Sequence, residues 1–124
     1  MILSSDALRI TDTQHRQLEE LARIACHLLE NEKDPIAFEY AIDQLLDFTA
    51  IHFRDEENVM QHHSYKGLYS HQRMHNYLLS KFRELKKEAF VFDELSRVRL
   101  LRFIKQEFKY HFIEDQHAWS AMAN

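Results

Sequence analysis

One glycine, one proline and one cysteine occur in 124 residues. So little turn chemistry disfavours a sheet protein, which needs turn signals every ~8–12 residues. The chain therefore reads as long helices. With Cys26 alone, an intrachain disulfide is excluded, and so are thiolate metal clusters. Any metal must take nitrogen and oxygen ligands. No apolar run reaches the ~18 residues of a membrane span, and no basic start leads into an apolar stretch with a small-residue cleavage site. The expectation is a cytoplasmic protein with no membrane partner. Charges of both signs are mixed along the chain, 16 basic against 20 acidic with a net charge of -4, so neither nucleic acid nor an anionic membrane is expected as a partner.

Hydrophobic residues make up 45% of the chain and charged residues 29%, a balance that suits a single domain, 1–124, with a real core. Breaks fall at 31–35, 64–67 and 88–93. Pro35 suits a first helical position, and Asp93 suits a cap for the last helix. These signals predict an N-terminal arm over 1–11 and four helices over about 12–31, 35–62, 67–88 and 93–119. Helices of ~20 residues are ~30 Å long, and short connections make neighbours antiparallel. The predicted fold is an all-α, antiparallel up-down four-helix bundle.

The 3.6-residue period assigns the core stripes. The first helix aligns His15, Leu18, Ala22, Ala25 and Leu29, and the second aligns Phe38, Ile42, Leu45, Thr49, His52, Glu56 and Val59. The third aligns Leu68, His71, His75, Leu78, Phe82 and Leu85, and the fourth aligns Leu101, Ile104, Phe108, His111, Asp115 and Ala118. Counted outward from the turns, His15 lies level with His52, His71 with His111, and Glu56 with His75. Five histidines and two carboxylates thus converge on one layer. Burying two ionised carboxylates in an apolar bundle costs several kcal/mol each unless something pairs with them. Cations would do so. Histidine and carboxylate without thiolate suits iron, manganese or zinc, and inward-facing i, i+4 pairs on bundle helices recur where two metals are held.

The order His15 in TDTQHRQL, His52 and Glu56 in HFRDEE, His71 and His75 in HQRMH, and His111 and Asp115 in HFIED resembles the hemerythrin family, in particular bacterial hemerythrin domains. The likeness spans residues 11–115. It implies a four-helix bundle with two iron ions per chain, a non-haem di-iron centre that binds O2 reversibly and takes small anions such as azide. On this resemblance His71, His75 and His111 hold one iron and His15 and His52 the other. Glu56 and Asp115 bridge them beside an oxo or hydroxo group, and the two-histidine iron keeps an open position for O2.

Two departures from the family pattern stand out. Its last histidine and aspartate usually stand five apart, which commonly needs a local bulge, whereas Asp115 follows His111 by four and Gln116 takes the usual place. Asp115 is kept as the ligand, with an unbulged fourth helix as the corollary. Glu107 stands four residues before His111, where the family tends to have a tryptophan, and Trp119 lies beyond the site. Poorer shielding of the iron is implied, which favours a sensor over a carrier. Glu107 itself reads either as a rim charge or as a group behind the ligands. His27, His62, His63 and His117 fall off the inner stripes or at helix ends and read as surface histidines; Phe48, Phe53, Phe112 and Ile113 read as core, some of them walling the O2 pocket.

The expected function is O2 binding used for oxygen or redox sensing, regulating a covalently linked output domain such as a diguanylate cyclase or chemoreceptor. A stand-alone O2 carrier or store, a di-iron peroxide-handling protein and an iron-buffering protein are the alternatives. No general acid or base beyond the ligands is visible, so no enzyme activity is expected except a weak peroxidase-type one.

Overall fold

A computed structural model describes residues 5–28, 30, 34–91 and 94–123. Its helices are α1 (Ser5–His27), α2 (Pro35–His62), α3 (Leu68–Val91) and α4 (Glu94–Ala123). Each packs on its chain neighbours and α4 closes the ring against α1, the arrangement of an all-α up-down four-helix bundle.

Local chemistry sets the ends of α2. Pro35 needs no amide partner in the first turn, and Asp34 caps it by accepting from the backbone N–H of Ile36 at 3.0 Å and of Ala37 at 3.3 Å. At the far end Ser64 adopts a left-handed φ of 53°, and Tyr65 N–H returns to Met60 O at 2.9 Å. The one glycine completes this turn, because a Cβ at Gly67 would meet the Tyr65 ring at 2.6 Å.

Each of the other helices runs past its sequence signals at one end, while α1 closes at His27, short of residue 31. Residues 5–11 continue α1 instead of forming an arm, and buried Thr11 shows that packing extends above His15. α3 reaches Val91 with Ala89 buried, and α4 reaches Ala123 with Met122 buried. Tertiary packing, not capping chemistry, prolongs these three. Leu29, Lys33 and the cap residue Asp93 lie outside the described residues.

Two apolar clusters fill the bundle. One joins Leu18, Phe38, Ile42, Leu45, Phe82, Leu100, Ile104 and Phe108, and the other joins Met60, Ala118, Trp119 and Met122. Along α2, Thr49 to Glu56 lies between them; along α4, His111 to Asp115 does. The polar layer is therefore sealed at both ends. Burial departs from expectation at several positions, the stripe residues Ala22 and Leu68 being only half-buried. Met60, four residues after Glu56, is fully buried where Val59 is only half-buried. Ile113 is 44% exposed because it sits two residues, about 200° of helix, from inward-facing His111. Phe48 is half-buried, and the side chain of Phe112 lies outside the described residues.

Candidate metal centre

Three helices contribute pairs spaced i, i+4, about 40° apart round the axis and so on one face. These are His52 and Glu56 on α2, His71 and His75 on α3, and His111 and Asp115 on α4; α1 supplies His15 alone. All are buried except His15, whose side chain is 14% exposed. Their donor atoms form two overlapping sets, His15, His52, Glu56, His111, Asp115 and Glu56, His71, His75, His111, Asp115, within each of which the atoms lie within 4.8 Å of one another.

The carboxylates divide their oxygens between the two sides. Glu56 Oε1 lies 3.0 Å from His75 Nε2, 3.5 Å from His111 Nε2 and 3.7 Å from His71 Nε2. Its Oε2 lies 3.0 Å from His52 Nε2 and 3.8 Å from His15 Nε2. Asp115 Oδ1 faces His71 Nε2 at 2.9 Å, while Oδ2 faces His15 at 2.8 Å, His111 at 3.0 Å and His52 at 3.8 Å. Besides the two carboxylates, His111 belongs to both sets, closest to the Asp115 oxygen that also meets His15.

Groups behind the cluster set its tautomers. Gln14 donates its amide N–H to Asp55 Oδ2 at 2.9 Å, which turns its Oε1 to accept from His52 Nδ1 at 2.8 Å. Glu57 Oε2 accepts from His75 Nδ1 at 2.7 Å. Nε2 of both rings then points inward, toward Glu56. His52 Nε2 and Glu56 Oε2 are buried and lack hydrogen-bond partners although only 3.0 Å apart. Two buried lone-pair donors at that separation suit a shared cation better than each other. The donor set, nitrogen and carboxylate oxygen without sulfur, fits iron.

The family profile described as Hemerythrin HHE cation binding domain matches residues 6–122. The chain belongs to the hemerythrin HHE family. It is similar to the bacteriohemerythrin of Clostridium acetobutylicum, 26% identical over 107 residues that cover 83% of each chain. It is also similar to the myohemerythrin of Sipunculus nudus, 32% identical over 78 residues, 63% of this chain and 59% of that one. The bacteriohemerythrin of Pseudomonas paraeruginosa is 26% identical over 77 residues, 62% of this chain and 50% of that one. The match thus spans most of the clostridial relative but only half to three fifths of the other two. No solved structure matches the chain.

In the hemerythrin domain free of metal, protons do the pairing. Burial alone would lower the His15 and His111 pKa values, but hydrogen bonds to Asp115 and Glu56 raise both to about 9. Burial would likewise raise the carboxylates. The imidazoles of His111, His15, His52 and His75 instead hold Glu56 well below the usual carboxylate range, and those of His111, His15, His52 and His71 do the same for Asp115.

The structure brings together all seven residues singled out in the sequence. Gln116 is exposed and α4 runs unbroken through the site, so its four-residue spacing carries Asp115 inward without a bulge. His27, His62 and His117 are exposed; His63 is half-buried and bonds Val59 O through Nδ1 at 2.9 Å, closing α2. Glu107 is half-buried. Phe53 is more than core filler, because its ring stacks on His75 at 3.9 Å with planes 3° apart. Sequence reasoning missed Gln14, Asp55 and Glu57. Each is the chain neighbour of a ligand candidate, and adjacency was the one signal available.

Proposed function

We propose that this hemerythrin domain binds O2 at a di-iron centre held by His15, His52, Glu56, His71, His75, His111 and Asp115, and uses that binding to sense oxygen or redox state. The supporting observation is the division of carboxylate oxygens, with Glu56 and Asp115 each facing histidines on both sides of the layer. Two irons held by this layer would supply reversible two-electron binding of O2. The chain's own residues orient, shield and insulate that chemistry. Gln14 and Glu57 lock two imidazoles with Nε2 inward, Phe53 covers the face of His75, and the two apolar clusters exclude water along the bundle axis. The polar groups that contact the cluster from behind are committed to ligand histidines, which favours binding over turnover.

Solvent access supports the sensor reading. His15 is partly exposed, and Glu107 brings a half-buried carboxylate one turn from His111. Water and protons reaching this side would shorten the life of the O2-loaded state, so iron redox state becomes the signal. A groove of about 680 Å³ between α1 and α4, floored by Ala22, Cys26, Ile104 and Phe108, leaves α1 room to respond when the demand on His15 changes.

Anaerobic reconstitution should give two irons per chain, with azide-dependent absorption bands in the oxidised form. One zinc per chain, or stoichiometric haem, would overturn the di-iron reading. Stopped-flow mixing of the reduced protein with O2 should show rapid conversion to the oxidised form, slowed in Glu107→Trp. An O2-loaded wild type that persists for hours, with no further slowing in the variant, would restore the carrier.

A further inference from the structure

Two histidines on opposite sides of the layer are backed by different chemistry. His75 Nδ1 donates to the carboxylate of Glu57 at 2.7 Å, whereas His52 Nδ1 donates to the amide oxygen of Gln14 at 2.8 Å. The geometry is otherwise alike, since each ring turns Nε2 inward, 3.0 Å from one oxygen of Glu56. The difference is charge. A cation on Nε2 makes the Nδ1–H more acidic; a carboxylate acceptor then draws the proton further and leaves the ring a stronger donor, which a neutral amide does far less. Behind His52, the carboxylate of Asp55 is one residue removed, bonded to Gln14. The Glu57 side chain is 25% exposed and that of Asp55 39%, so neither is needed to fill the core.

Resting on the two-metal reading above, we propose that Glu57 and Gln14 are positioning residues that make the two metal positions unequal. The cation held with His75 is retained tightly, and the cation held with His52 is the exchangeable one. The amide at position 14 keeps the second position weak. Such a site would pass through a half-loaded state, so metal supply as well as O2 could set the state of the domain.

Cobalt(II) is the probe, titrated out of the loaded full chain with a competing chelator while bound metal is counted. Wild type should release its two ions in two resolved steps. Glu57→Gln, which keeps a hydrogen-bond acceptor but removes the charge, should weaken the tighter step about 10- to 100-fold and leave the weaker one nearly unchanged. Gln14→Glu combined with Asp55→Asn moves the charge next to His52 at constant net charge and reverses the hydrogen bond between the two positions, the amide at 55 now donating to the carboxylate at 14. It should strengthen the weaker step by a comparable factor, a gain that loss of packing could not produce. Equal weakening of both steps by Glu57→Gln, or no gain in the double variant, would overturn the asymmetry while leaving the two-metal reading intact. A wild type that holds only one ion per chain would overturn both. Unchanged helical circular dichroism in the variants shows that the affinities belong to folded protein.

Discussion

Asp115 and Gln116 compete for one role, and their surroundings separate them. Asp115 is buried against His71, His15 and His111, while the next side chain faces solvent. Asp115→Ala should therefore lose bound iron, and Gln116→Ala should retain both ions; metal analysis after desalting distinguishes them. Retention in the first and loss in the second would reverse the assignment. Removing Asp115 also strands buried imidazolium groups, so the metal-free protein should lose about 3–5 kcal/mol near pH 6. Urea unfolding measures that loss. The seven converging residues were legible because a buried ionisable side chain on an apolar stripe is conspicuous. Gln14 and Glu57 were not, since a polar residue beside a ligand looks the same in sequence whether it faces solvent or the ring behind it.

At the scale of the element, capping chemistry was readable and packing was not. α2 begins and ends where Pro35, Asp34 and the turn after His62 indicate, because each end is made by residues adjacent in the chain. α1, α3 and α4 each outrun their signals at one end, because Thr11, Ala89 and Met122 are buried by other helices. Asp34→Ala removes the acceptor for two N–H groups at an exposed helix start, and should cost about 1 kcal/mol. Thermal unfolding should register this with iron content unchanged, since the cap lies about five turns of α2 from His52. Loss of iron in this variant would show that the register of α2 depends on its cap.

For the whole molecule, the polar layer couples stability to pH in opposite senses with and without metal. His15 and His111 are raised from 6.5 to about 9, so their contribution is complete below pH 6.5 and is lost as pH rises through 9. Glu56 and Asp115 are lowered from 4.5 and 3.8, so their contribution is present above those values and is lost as pH falls further. The metal-free protein should therefore have its highest Tm between about pH 4.5 and 6.5 and lose stability toward pH 9. Metal takes the place of those protons, so its stabilising increment should widen over the same rise and vanish in acid. Calorimetry of loaded and metal-free protein from pH 4 to 9.5 tests both slopes. A metal-free Tm that climbs toward pH 9 would show that the imidazoles are not paired as the geometry indicates.

Composition and periodicity alone determined the all-α bundle, the order of its helices and the seven polar side chains on their inner stripes. Those properties depend on residues three or four apart, whose relative direction the helix itself dictates. The tertiary structure decided which carboxylate oxygen meets which imidazole, that His111 stands between the two sides, that Ile113 faces outward, and that one histidine is backed by a charge and another by an amide. These depend on how far each helix is rotated and shifted against its neighbours. That rotation is set by the packing of Leu18, Ile42, Phe82 and Ile104 across four helices, and no spacing within one helix encodes it.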